Sequence, residues 1–368
     1  ILRDPHPPPW PAPHYADPSR VASAQAEAED PAWLTEHLIQ PSLVTSKVEY
    51  FSDRPGKTEN PDKRDAREFT LHLMRLVSNA KQEVVLQTPY LVMSSRARRI
   101  FRKLHDEPLP PKIIVSTNSL ASTDAFAVYA VSYKRRRTYL TQYAFNIYEM
   151  KPHADIANDA YEQANVDDQD DDDEMSSEPG PPGAKRRAPG TERRPGLFGS
   201  NSRRNRPAPL VSSGRRFGLH AKSIVVDDDL AMVGTHNFDP RSDHYNTEAG
   251  VIIYDQRFAT QLRTSIMQAT LPENAWVIAE KKPVIPVLGN ISLAISDVSA
   301  KLPLFDIWPF RYATSYDIRP GCAPLLPADP GFDRCYVPAG DFPDVDISPK
   351  LIYTRFITAF GAGVQGIL

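Results

Sequence analysis

Cysteine is nearly absent from this chain: there are two in 368 residues, Cys322 and Cys335. Neither has metal-ligand spacing or stands beside a chemically suggestive histidine, so a zinc site or a cysteine nucleophile is not indicated. We read them as two separate thiols, with a mutual disulfide as the alternative. No run of eighteen uninterrupted apolar residues occurs, so no transmembrane helix is expected. A strong charge of one sign is also missing. The net charge is −3, which argues against a globally basic nucleic-acid binder. No metal and no cofactor is called for. Proline, in contrast, is abundant, with 36 residues gathered before Pro18, in the centre and after Pro272. Those zones read as loop-rich.

Residues 1–40 read as a Pro-rich linker followed by a short helix, with Asp30 as N-cap and Pro31 at its first position. From 41 to 271, apolar segments alternate with amphipathic ones. Val48–Phe51, Glu83–Thr88, Lys112–Thr117 and Phe145–Tyr148 read as strands. Asp65–Ala80, Ser94–His105 and a segment from Ser122 to about Tyr143 read as helices. Gly250–Tyr254 and Asp255–Ala269 add a strand and a helix. This alternation predicts an α/β fold, a mixed sheet with helices on both faces. The pattern breaks at 155–216, where an acidic run (Asp170–Glu174) gives way to basic clusters such as Lys185-Arg186-Arg187 and Arg215-Arg216. Such blocks bury too little apolar surface to order themselves, so we expect a disordered insertion, its basic half able to dock on anionic headgroups. Residues 272–368 read as a Pro-rich C-terminal extension. Its last stretch, Leu351–Leu368, has apolar residues at helical spacing, which predicts packing on the domain or contact with a membrane interface.

The chemistry concentrates after the insertion. His220 and Lys222 are two apart, so on a strand they share a face with Ile224 and Val226. Asp227 to Asp229 reads as a turn and Ala231–Val233 as the return strand, bringing Thr235 and Asn237 back beside His220. Glu248 lies further on. An imidazole to attack phosphorus or carry a proton, with an ammonium and an amide to hold the phosphate, suits phosphodiester chemistry.

The spacing resembles the phospholipase D superfamily signature, H-x-K-x4-D followed by G-[ST]-x-N. It is met by His220, Lys222, Asp227, Gly234, Thr235 and Asn237, six constrained positions in eighteen. Glu83–Leu91 looks like the strand and turn that open a phospholipase D domain, and Thr117–Asp124, Tyr148–Pro152 and Asn237–Glu248 look like bacterial cardiolipin synthases and their close relatives. The resemblance implies a phospholipase D-like catalytic domain and a double displacement through a phosphohistidine. It assigns His220 as general acid and then base, or as nucleophile, with Lys222, Thr235 and Asn237 on the phosphate. Glu248 is expected to orient a motif imidazole, and Asp227 to support structure more than chemistry. His236 and His244 read as surface residues. The product implied is cardiolipin, made from phosphatidylglycerol and a second phospholipid at an anionic membrane surface. The place implied is the periphery of a bacterial inner membrane. Hydrolysis of lipid or nucleic acid is the alternative reading. Nucleic acid is the less expected partner, and Asp227 argues against the tyrosyl-DNA branch, whose motif lacks it.

Family members of this type usually carry two such motifs, and no second H-x-K occurs here. The chain also begins at Ile1 without an initiator methionine. We read it as the C-terminal half of a two-motif enzyme, needing an upstream partner motif. The alternative is a single-motif protein that completes its site across a homodimer.

Overall fold

The computed structural model describes residues 15, 18–45, 47–57, 59, 67–157, 206–281 and 312–361. The chain divides into two compact units, 1–44 with 161–175, and 45–160 with 176–368. In the first, α1 (Pro18–Glu29) is followed by α2 (Pro31–Leu34). Asp30 caps α2 as expected, its carboxylate accepting from the Ala32 amide at 2.8 Å.

The second unit is built on one ten-stranded mixed sheet among the described residues. Its strands are β1 (Val48–Ser52), β2 (Glu83–Gln87), β3 (Lys112–Asn118), β4 (Phe145–Met150), β5 (Ser223–Val226), β6 (Leu230–Gly234), β7 (Ala249–Ile253), β8 (Ala275–Glu280), β9 (Ala313–Ile318) and β10 (Tyr336–Gly340). The spatial order is β1-β7-β6-β5-β2-β3-β4-β8-β9-β10, with β2-β3-β4 parallel and every other pairing antiparallel.

A period of two in the apolar residues builds both cores. Val84, Leu86, Ile113, Val115, Ile147, Ile224, Val226 and Ile278 point to one face. There they meet α3 (Glu68–Ser78) through Phe69, Leu73 and Val77, α4 (Ser95–His105) through Phe101 and Leu104, and α6 (Arg136–Gln142) through Tyr139. Val85, Ile114, Tyr148, Val225, Val277 and Ala279 point to the other. That face meets Ala259 and Ile266 of α8 (Gln256–Gln268) and Phe332 of α9 (Phe332–Cys335).

The helix expected from Ser122 to Tyr143 is two helices, α5 (Phe126–Lys134) and α6, meeting at Arg135. The break accompanies a buried cluster. Arg136 pairs with Glu149 at 2.5 Å, and the Tyr129 hydroxyl donates to the same carboxylate at 3.0 Å. α5 also receives α10 (Pro349–Gly361), whose Ile352 and Phe356 are buried against Phe126, Tyr129 and Tyr133. That part of the C-terminal stretch therefore packs on the domain.

Three features differ from the expectations. The stretch read as an extension contributes β8, β9 and β10 to the same sheet, because its apolar Trp276, Ile278 and Tyr316 complete both cores. The end of the segment read as a disordered insertion is held in place. Ser212 bonds to Asp344 and His153, the Phe217 amide to Pro152, and Leu210 bridges Val345. The rest of that insertion, 158–205, lies outside the described residues. Finally, Cys322 and Cys335 are joined in a disulfide rather than standing as separate thiols. The hydrogen bond from the Arg319 amide to the Cys335 carbonyl at 2.7 Å folds this loop back and brings the two cysteines together.

The disulfide closes a loop of 13-residue separation. Cys322→Ser with Cys335→Ser is expected to lower unfolding stability by about 2–3 kcal/mol in urea titrations, from the regained entropy of the open chain.

Candidate active site

His220, Lys222, Thr235, Asn237 and Glu248 gather where β5 and β7 begin and β6 ends. β5 begins at Ser223, so His220 and Lys222 sit just before the strand rather than on it. Pairing nevertheless continues to Lys222, whose carbonyl accepts from the Gly234 amide at 3.0 Å. The His220 ring is exposed, and its aromatic neighbour is Tyr90, with centroids 6.4 Å apart. Among the described residues, no side chain hydrogen-bonds to that ring. Lys222 is half-buried and donates to the His220 carbonyl at 2.7 Å. Burial holds its ammonium below the usual lysine range, although Glu248, Asp124 and Asp239 pull the other way. Those three carboxylates mark Lys222 as the cation at the centre of the site.

Gly234 is required by close approach. A Cβ there would lie 2.5 Å from the Ala249 carbonyl oxygen and 2.8 Å from the Gly250 Cα. Gly234 and Gly250 are register partners, so two bare backbones pass each other under Thr235.

Glu248 is buried and takes a hydrogen bond from the Thr235 hydroxyl. Among the described residues its side-chain partner is this hydroxyl and not the His220 ring. The reason lies in the pairing of the two chain segments. The Thr235 amide donates to the Ala249 carbonyl and the Ala249 amide donates to Thr235 Oγ1, which fixes that hydroxyl beside the carboxylate. Thr235 itself is exposed at the site surface.

Asn237 is held by its backbone. Its amide donates to Ser242 Oγ at 3.1 Å and its carbonyl accepts from Thr88 Oγ1 at 3.3 Å. Its side-chain oxygen is buried without a protein partner among the described residues. α7 (Pro240–His244), capped by Asp239, closes this loop. His236 is fully buried rather than on the surface. Its Nδ1 accepts from the Phe238 amide at 2.9 Å and its Nε2 lies 3.4 Å from Asp243. Burial pushes the Asp243 carboxyl up, but the His236 ring and the Ser94 hydroxyl outweigh it and hold it below the usual range.

Asp227 stands apart from this group. With φ of 52°, it turns its carboxylate onto the amides of Lys81, Gln82 and Glu83, at 2.7–2.9 Å, at the start of β2.

Several residues that sequence reasoning did not single out hold the site together. Asn118, at the end of β3, clasps the backbone next to His220. Its Oδ1 accepts from the Leu219 amide and its Nδ2 donates to the Leu219 carbonyl, both at 2.8 Å. Tyr90 donates to Asp124 at 2.8 Å, and burial and that carboxylate raise its pKa far above the usual range. Asp53 and Lys57 form a fully buried ion pair at 2.5 Å. Lys57 also donates to the Ser242 carbonyl, and Asp53 accepts from the Glu248 amide at 3.2 Å. Asn118 and Tyr90 lay inside segments noted only for resemblance. For Asp53 and Lys57, a four-residue spacing in a Pro/Gly turn carries no signal by itself.

Among the described residues, no cluster of three or more His, Cys, Asp or Glu side chains has metal-ligand geometry. None of their helices is long and apolar enough to cross a membrane.

Residues 202–269, which contain every motif position, match the family model described as "Cardiolipin synthase, PLD-like domain". The motif-bearing segment is therefore similar to the phospholipase D-like domain of cardiolipin synthases. Cardiolipin synthase C of Escherichia coli is 24% identical over 246 residues, covering 65% of this chain and 40% of the relative. An uncharacterised protein of Helicobacter pylori is 25% identical over 217 residues, covering 59% of this chain and 32% of the relative. The chain thus spans between a third and two fifths of the length of these relatives. NucT from Helicobacter pylori, a solved structure, overlaps 62% of this chain and 98% of its own at a TM-score of 0.36 and 10% identity. That overlap is too loose to carry an argument.

Lys57→Met would leave Asp53 charged, buried and without its cation. A loss of about 3–5 kcal/mol in unfolding free energy is expected from urea denaturation.

Proposed function

We propose that this phospholipase D-like domain transfers a phosphatidyl group, forming cardiolipin from phosphatidylglycerol and a second phospholipid. The observation that carries this reading is the match of the motif-bearing segment to the cardiolipin synthase domain model. The site geometry fits phosphodiester chemistry. An exposed imidazole, His220, lies two residues from a half-buried cation, Lys222, which donates to the His220 carbonyl, and the His220 ring has none of the bonds that tie up His236 and Asp227 among the described residues.

In this mechanism one imidazole nitrogen attacks phosphorus, and the P–O bond to the first alcohol breaks. A second imidazole gives the leaving oxygen its proton. That second imidazole then takes the proton of the incoming glycerol hydroxyl, whose oxygen displaces the histidine from phosphorus. His220 supplies one imidazole, as acid and then base or as nucleophile. The other comes from a further part of the longer protein or from a second copy of the chain. Lys222, Thr235 and Asn237 bind the phosphate oxygens, and Glu248 acts through Thr235. Asp227 serves the turn at β2. The domain works at the surface of the inner membrane. The Cys322–Cys335 disulfide supports its oxidising side. Hydrolysis is a second reading with an observation behind it: His220 is exposed, so water has the same access as an alcohol.

The test is product analysis by mass spectrometry on phosphatidylglycerol vesicles, with and without phosphatidylethanolamine. Cardiolipin is expected from the native protein, with a fall of at least 100-fold for His220→Ala, on the scale of losing a general acid or base. Phosphatidic acid in place of cardiolipin would make the protein a hydrolase. Equal product from both proteins would remove His220 from the mechanism.

A further inference from the structure

The outward face of α4 is basic along its length. Ala97, Phe101 and Leu104 turn inward, and the opposite arc carries Arg96, Arg98, Arg99, Arg102 and Lys103. Such a row repels itself. Burial and the charges of Arg135 and Arg102 hold the Arg98 guanidinium below its usual range. Arg135 adjoins the row from the start of α6, and Arg102 is tied to α6 by a bond to Gln142 at 2.9 Å. None of these five α4 cations is in an ion pair among the described residues. Asp106 and Glu107 come only after the helix has ended.

The N-terminal end of the row adjoins the candidate site, and the helix runs from there towards the start of β3. α4 leaves the loop that carries Tyr90, and its N-cap Ser94 donates from its amide to the Phe238 carbonyl at 2.9 Å. Seven residues from Tyr90 to Arg96 therefore connect the site wall to the first cation.

We propose that the basic face of α4 docks the domain on the anionic headgroup plane of a phospholipid bilayer, and so presents lipid phosphates to the His220 site. The proposal rests on the lipid reading above and names the surface that reading leaves open. Two observations favour a bilayer over a nucleic acid. Among the described residues, the aromatic rings of α4 and those facing Arg98, Phe101, Tyr139 and Tyr143, are all buried and offer no platform for stacking bases. Past the end of α4, Leu109 is 86% exposed between Pro108 and Pro110, an apolar side chain that suits a lipid surface better than a phosphate backbone.

The experiment is flotation of the full chain with vesicles of phosphatidylcholine, with and without phosphatidylglycerol. It is done in a His220→Ala background so that turnover plays no part. The variant Arg96→Gln/Arg99→Gln/Lys103→Gln removes three charges from outside the core, two exposed and one half-buried. It is expected to bind phosphatidylglycerol vesicles on the order of 100-fold more weakly, the product of three headgroup-plane charges. Neither protein should bind pure phosphatidylcholine. Arg96→Lys/Arg99→Lys keeps the charge and is expected to stay within about twofold of the parent. Thermal melting separates docking from misfolding, since binding lost with an unchanged melt is the expected outcome. Parent and Gln variant floating alike would overturn the proposal, as would a parent that does not float. It would also be overturned if the Gln variant lost salt-sensitive duplex DNA binding while vesicle binding held. Because flotation needs no catalysis, absence of lipid product in the earlier assay leaves this result to stand or fall independently.

Discussion

Lys57 carries a cation into a place with no solvent, and Asp53 at 2.5 Å makes that tolerable. Removing two charges from water is costly, and the pair recovers that cost only by satisfying its remaining donors and acceptors. It does so with the parts of the site that must not move. The Lys57 ammonium reaches the Ser242 carbonyl in α7, and the Asp53 backbone and carboxylate bracket Glu248. α7 closes the loop that carries Asn237, and Glu248 receives Thr235. One buried charge pair at the β1 end of the sheet thus sets the positions of three site side chains.

The opposite wall depends on Asn118. A backbone loop before β5 has no strand partner of its own, so its polar groups need partners from elsewhere. Asn118 supplies both a donor and an acceptor to Leu219. Gly218 allows the approach, since a Cβ there would stand 2.9 Å from the Ser122 carbonyl oxygen. His220 is therefore presented by a rigid mount although it lies outside regular structure.

Much of the architecture was legible in the sequence because it rests on local periodicity. The alternation in Glu83–Gln87, Lys112–Asn118 and Ser223–Val226 marks strands buried on both faces, and the 3.6-residue spacing of Phe69, Leu73 and Val77 marks α3. The motif segment was legible because its spacing is long and constrained. What remained hidden depends on contacts distant in sequence. The Asp53–Lys57 pair reaches across 185 residues to Ser242. The partner of Glu248 follows from strand pairing rather than from residue type. The late strands β8 to β10 lie amid prolines and glycines that suggest loops, and only the pairing of β8 with β4, of β9 with β8 and of β10 with β9 makes them sheet. His236 read as a surface residue because its burial comes from Phe69 and Phe238 closing over it, which no local pattern announces.

The stem of the long insertion has a consequence of its own. The Phe217 amide bonds to the Pro152 carbonyl at 2.8 Å, and the His153 ring joins Ser212 at 2.8 Å and the Arg215 carbonyl at 2.9 Å. The chain leaves and re-enters the domain at a single sealed neck. Beyond such a neck, doubling the length of a loop costs only about 0.6 kcal/mol of closure entropy. The neck therefore separates evolutionary change in the inserted segment from the geometry of the His220 mount. Its bonds tie Pro152 and His153 to Ser212–Phe217, just ahead of His220, so the mount of that imidazole is fastened to the end of β4.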